Sequence, residues 1–177
     1  SSSSATGIIM DPETGEILAM ATTPGFNNNH FGSTRPEFHR IKSITDQFEP
    51  GSTFKVVSTV SALYDGLISL NDEFNCENGS FEYHTKKITD HESYSMLTAS
   101  QIIHHSSNIG IIKIMDQVGR KRLFSMSRDF GFGSKTGINL NGEVSGKLNH
   151  FNDWSAVSLG MIAMGHEVGV TAIQLAS

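Results

Sequence analysis

Residues 49–55 read Glu49-Pro50-Gly51-Ser52-Thr53-Phe54-Lys55, and the serine with its lysine three places on decides how the rest is understood. Pro50-Gly51 punctuates the chain, and an apolar run follows at Phe54, Val56, Val57, Val60, Ala62, Leu63 and Tyr64. Apolar residues on several faces predict a helix buried nearly all round, opened by Ser52 and ended near Asp65-Gly66. Residues i and i+3 of a helix share a face, with Cβ atoms roughly 5–6 Å apart. A serine in the first turn also sits where backbone N–H groups and the helix dipole favour negative charge. A serine hydroxyl is a poor nucleophile without an adjacent base. A lysine can be that base only if burial or a neighbouring cation leaves it neutral, and Phe54, Val56 and Val57 are expected to supply part of the burial. An N-cap serine followed by a solvated lysine would give the same spelling, so the pair needs a second feature.

Outward from this stretch, 177 residues suit one domain with a sizeable core. Hydrophobic content of 37% with 18% charged residues describes a soluble globular chain. A net charge of -5, without a basic run or an aromatic stacking platform, argues against a nucleic-acid partner. Cys76 is the only cysteine, which excludes an internal disulfide framework. No stretch is long and apolar enough to span a bilayer, and no signal peptide is seen; any membrane anchor is expected outside this chain. Ser1-Ser2-Ser3-Ser4 reads as part of a linker or cloning scar over residues 1–6. Two apolar runs flank Pro12 and Gly15 and predict a β-hairpin over about 7–21. Residues 22–45 read mostly as loop with one short helix, and 71–95 as irregular. Further helices are predicted over about Thr98–His105, Asn108–Val118, Arg120–Phe130 and Ser155–Met164, and another from Thr171. A hairpin followed by helices is α+β, with two strands too few for a stable sheet.

The second feature is Ser106-Ser107-Asn108, set between two helical patterns. A serine there can pass a proton towards a leaving amine, and an Asn amide can hold a substrate amide through one donor and one acceptor. The same three residues would also cap the following helix well. S-x-x-K followed by S-x-N is the motif pair of serine β-lactamases and penicillin-binding proteins. The chain resembles the transpeptidase domain of class B penicillin-binding proteins through further landmarks in family order. These are Asp11-Pro12 with Thr14-Gly15-Glu16-Ile17-Leu18-Ala19-Met20, Phe48 through Lys55, and Ile88-Thr89-Asp90 with Leu97-Thr98. Phe130-Gly131-Phe132-Gly133, Gly142-Glu143, Ser145-Gly146 and Val170-Thr171 with Gln174-Leu175-Ala176 complete the series.

The resemblance implies a five-stranded antiparallel sheet flanked by helices, of which residues 7–177 would hold the opening hairpin and the helical half (about 52–177). The later strands and the third motif, K-T-G, would lie beyond Ser177. Lys135-Thr136-Gly137 spells that motif too early, between Phe-Gly-Phe-Gly-Ser and Ile-Asn-Leu-Asn-Gly-Glu, and is expected to be a non-catalytic loop.

By the same resemblance, Ser52, Lys55 and Ser106 are catalytic, and Ser52, Ser106 and Asn108 bind substrate. The substrate implied is the D-Ala-D-Ala stem peptide of peptidoglycan, with β-lactams as covalent mimics. No cofactor or metal is implied. The location implied is the extracytoplasmic face of a bacterial membrane, with cell-wall synthesis or division proteins as partners of the parent. A class D-like β-lactamase or a β-lactam sensor domain is the alternative; class D β-lactamases usually carry Ser-x-Val where Ser106-Ser107-Asn108 stands, and a class A enzyme would carry Glu-x-x-Leu-Asn. An inactive folding, interaction or antigen module is the reading from another class, separable by β-lactam labelling. His91-Glu92 lacks a second ligand at metal-site spacing, and His104-His105 diverge by about 100° on a helix. Residues 131–137 lack the Gly before Lys that a phosphate loop needs. The methionines read as core filler and Trp154 as an anchor for a helix start.

Overall fold

Asp11 organises the first turn of the chain. Its Oδ1 accepts from the N–H groups of Glu13 (2.8 Å) and Thr14 (3.0 Å), and its carbonyl accepts from Gly15, which adopts φ +73°. This side-chain mimic of a backbone turn joins β1 (Ala5–Met10) to β2 (Ile17–Thr23) in an antiparallel hairpin. Partners run from Ala5 with Thr23 to Ile9 with Ala19, and a register shift then pairs Met10 with Ile17. The computed structural model describes residues 4–177, so the first three residues of the expected linker (1–6) lie outside the described residues, whereas Ala5 and Thr6 belong to β1. Strand β1 begins at Ala5, two residues ahead of the predicted hairpin edge.

The chain divides into two units. One comprises the segment ending at Phe48, Gly131–Lys147 and Val170–Ser177. In it the hairpin meets α1 (Lys42–Thr45) and α7 (Ala172–Ala176), around buried Ile44, Val170 and Ile173. Phe48 and Val170 exchange both backbone hydrogen bonds at 2.9 Å. Gln174 forms a capping box with Thr171, and its Nε2 donates to the carbonyls of Ser134 (2.6 Å) and Ser145 (2.9 Å). One side chain thus ties two glycine-rich loops to α7.

The other unit, Glu49–Phe130 with Leu148–Gly169, is mostly helical. It contains α2 (Lys55–Leu63), α3 (Ala99–His104), α4 (Asn108–Val118), α5 (Arg120–Asp129) and α6 (Ser158–Ala163). Helix α4 is its axis: Ile109, Ile111, Ile112, Ile114 and Met115 are fully buried, against α2, α5 and α6. Gly160 lets α6 approach, because a Cβ there would stand 2.6 Å from the Tyr83 ring. The predicted all-round burial of α2 is only partly met, since Val56 is 55% exposed and Tyr64 is exposed as well.

Residues 71–95, read as irregular, hold strands. β3 (Glu73–Asn75) pairs with β6 (Met96–Thr98), and β4 (Ser80–Tyr83) pairs with β5 (Lys86–Thr89). Each strand has three or four residues and buries only one of them, so alternation leaves almost no trace in the sequence. Met115, Met126 and Met164 are buried as filler, whereas Met96 is exposed. Trp154 is buried just ahead of α6, with its indole N–H on the Asn149 carbonyl.

Candidate active site

Ser52 lies in a 3-10 turn, Gly51–Phe54, and α2 proper starts at Lys55. The sequence predicted a helix from the serine itself. A 3-10 turn has three residues per turn, so i and i+3 eclipse, and the nucleophile and lysine candidates stay in line. Two connections hold this turn. The Gly51 N–H donates to the Gly165 carbonyl (3.1 Å), and Thr53 Oγ1 donates to the Pro50 carbonyl (2.8 Å). The Glu49 carboxylate meets His166 Nδ1 (2.8 Å) and accepts from the Glu167 N–H (2.9 Å). The His166 contact, with the Glu167 N–H, holds the Glu49 carboxyl below its ordinary range.

Lys55 is 4% exposed, and its Nζ donates to the Ser106 carbonyl (2.5 Å), Ser106 Oγ (3.1 Å) and Asn108 Oδ1 (2.7 Å). Burial pulls its pKa down to about 8 from 10.5, against the charge of Asp90, which pulls upward. At pH 7 a pKa near 8 leaves about one lysine in ten neutral, against about one in 3,000 for an ordinary lysine. Of the three partners only the Ser106 hydroxyl can also donate. A neutral Lys55 therefore keeps its bonds to the two carbonyl oxygens and has a lone pair left for a hydroxyl proton. Ser52 is exposed, and among the described residues no hydrogen bond joins its hydroxyl to Lys55. Such contacts often tighten only when substrate binds. Val56, expected in the wall around the lysine, points to solvent; Phe54 and Val57 are the buried members.

Helix α3 explains why Ser106 faces the lysine. The helix ends at His105, and Ser106 takes φ +55°, the left-handed position usually held by glycine. The Ser106 N–H bonds to Ile103 O (3.1 Å) and the Ser107 N–H to Ile102 O (3.0 Å), the paired bonds of a Schellman motif. Ser107 then caps α4, its Oγ accepting from the Gly110 N–H at 2.9 Å. Within the tripeptide the capping falls to Ser107, while Ser106 and Asn108 face Lys55. Asn108 Nδ2 donates to the Thr89 carbonyl (3.0 Å), which leaves Oδ1 turned to the lysine.

Asp90 was noted in the sequence only as part of a landmark. Its carboxylate accepts from Ser107 Oγ (2.6 Å) and from the N–H groups of Asn108 (2.5 Å) and Ile109 (3.1 Å). No local pattern marks it, because its partners lie seventeen or more residues away. Lys135-Thr136-Gly137 stands in the other unit, in a loop outside any strand. The Glu143 carboxylate there accepts from Thr136 N–H and Oγ1 (both 2.6 Å) and from the Gly137 N–H (3.2 Å). Among the described residues no group of three or more His, Cys, Asp and Glu could hold a metal ion.

The family model for the penicillin-binding protein transpeptidase domain matches residues 5–177. The chain belongs to this family. It is 35% identical over 173 residues to the peptidoglycan D,D-transpeptidase FtsI of Escherichia coli (strain K12), covering 98% of this chain and 29% of FtsI. It is 31% identical over 170 residues to stage V sporulation protein D of Bacillus subtilis (strain 168), covering 94% of this chain and 26% of that protein. Among solved structures it is similar to the transpeptidase domain of penicillin-binding protein 3 from Burkholderia pseudomallei, with TM-score 0.83 and 26% identity. It is also similar to a peptidoglycan glycosyltransferase from Burkholderia ambifaria, with TM-score 0.86 and 28% identity. Each superposition covers 98% of this chain, and 47% and 50% respectively of the other. The chain thus spans 29% and 26% of the two named relatives and about half of the two structures, as a partial transpeptidase fold of mixed helices and small antiparallel sheets.

Proposed function

We propose that the protein carrying these residues is a peptidoglycan D,D-transpeptidase that works through an acyl-enzyme on Ser52. The observation that carries the reading is Lys55: a buried amine, held down to a pKa of about 8, whose three contacts all go to the S-x-N tripeptide. Neutral Lys55 takes the Ser52 proton as Oγ attacks the penultimate D-Ala carbonyl of a stem peptide. The tetrahedral intermediate collapses, and the bond to the terminal D-Ala breaks. Its amine leaves with a proton passed through Ser106 Oγ from Lys55. An amine of a neighbouring stem then attacks the acyl-enzyme, forms the cross-link and frees Ser52.

Asn108 keeps one amide hydrogen and one Oδ1 lone pair beyond its bonds to Thr89 and Lys55, the pair needed to orient a substrate amide. A valine there, as in class D β-lactamases, could not accept from Lys55. β-Lactams would acylate Ser52 and leave it blocked. The setting proposed is outside the cytoplasm, at the membrane's outer face with cell-wall synthesis or division partners. No helix of the described residues is long and apolar enough to cross a membrane.

The test is mass spectrometry of the protein after penicillin treatment. One adduct is expected, on the peptide containing Ser52 and lost in Ser52→Ala. An adduct on Ser106, or one that survives Ser52→Ala, overturns the assignment.

A further inference from the structure

Thr89, the last residue of β5, and Asp90 just after it both bond to the S-x-N tripeptide. Asp90 holds the first turn of α4 by two backbone N–H groups and the capping hydroxyl, while the Thr89 carbonyl holds Asn108 Nδ2. A carboxylate at the start of an eleven-residue helix is well placed electrostatically. It also does more than cap. The peptide N–H it grips belongs to Asn108, and Oδ1 of that same residue accepts from Lys55 Nζ.

We propose that Asp90 is a positioning residue of the acylation step, holding the Ser107–Asn108 turn so that the Asn108 carboxamide and the Ser106 carbonyl face Lys55 Nζ. The inference rests on the transpeptidase reading above. Asp90 acts on the lysine in two ways, through the geometry of its partners and through its charge. Burial lowers the Lys55 pKa and the Asp90 charge opposes it. The carboxylate therefore keeps a larger fraction of Lys55 protonated at a given pH than burial alone would leave. The other titratable groups around Asp90 are the Cys76 thiol, 3.7 Å from Ser107 Oγ and raised mainly by burial, and Tyr94, raised mainly by its bond to Glu92. Tyr94 also meets His105, and Lys113 pairs with Glu77 nearby. Among these charges Asp90 is the one that acts on Lys55.

Asp90→Asn keeps the shape and an oxygen acceptor for the two N–H groups but removes the charge. NMR titration of the Lys55 Cε resonance in the whole protein should place the midpoint near 8 in the wild type, and lower in Asp90→Asn. The pH profile of penicillin acylation should move the same way. Asp90→Ala, which also frees the turn, should slow acylation on the order of 100-fold with the adduct still on Ser52. An unchanged Lys55 midpoint and an unchanged pH profile in Asp90→Asn overturn the proposal, since a merely structural cap would lower stability and leave both alone. If wild-type Ser52 takes no penicillin, the transpeptidase reading fails, while the Lys55 titration still reports whether Asp90 governs the lysine.

Discussion

Ser106 carries two demands in one residue. Its backbone closes α3 in a left-handed conformation, and its carbonyl and hydroxyl both contact Lys55. Left-handed φ disfavours any residue with a Cβ, by roughly 1 kcal/mol relative to glycine. Ser106→Gly and Ser106→Ala both delete the hydroxyl, and only alanine retains the Cβ. We expect the glycine variant to melt roughly 2–4 °C above the alanine variant, while both lose most of their penicillin acylation. Paired thermal scans and acylation rates check this; equal melting temperatures would show that the φ of Ser106 carries no strain. The tripeptide was legible as a motif in the sequence. That its first serine stands where a helix-ending glycine usually does was not, because a backbone angle has no spelling.

The nucleophile turn depends on a second element, the reversal after α6. Gly165 has φ +85°, and a Cβ on it would lie 2.0 Å from the Gly51 carbonyl oxygen and 2.7 Å from Gly51 N. These are backbone atoms one residue before Ser52 and cannot rotate aside. Gly165→Ala should therefore displace the Gly51–Ser52 turn, at a cost on the order of 3 kcal/mol, and slow acylation. Gly131→Ala is the matched control: its φ is +84° but nothing lies within 4 Å of the new Cβ, so only the backbone penalty of about 1 kcal/mol applies. Melting temperature and acylation rate together decide the matter. A Gly165→Ala protein that acylates at the wild-type rate would mean the turn is indifferent to its support. The helices themselves were mostly legible, because α3, α4, α5 and α7 each show caps or apolar periodicity within one segment. Strands β3 to β6 were not, being stabilised by partners rather than by their own pattern.

At the scale of the molecule, pH should reach the fold through Glu143, which lies mostly buried. Burial works to raise its pKa, but the hydroxyl and N–H of Thr136, the Gly137 N–H and the charge of Lys135 outweigh that and hold it below 4.5. A carboxylate depressed in the folded state contributes stability above its unfolded pKa and loses it as pH falls through the folded value. Glu143→Gln should thus melt roughly 3–6 °C below wild type at pH 7, for a loss of about 1–2 kcal/mol. The two curves should converge as pH falls below 4.5. A difference that stays constant down to pH 3 would assign the loss to shape rather than charge. Taken alone, the sequence determined the α+β class, the hairpin, the approximate positions of most helices, the family resemblance and the candidates Ser52, Lys55, Ser106 and Asn108. Each of these is written in neighbouring residues, as a period, a cap or a short motif. Tertiary structure alone decided that α2 begins at the lysine, that Lys55 spends its donors on Ser106 and Asn108, and that Asp90 and Gly165 support the site. Those facts depend on groups from 17 to 114 residues apart (Asp90 with Ser107, Gly51 with Gly165) brought within hydrogen-bond reach, and no local pattern encodes a distance that only packing creates.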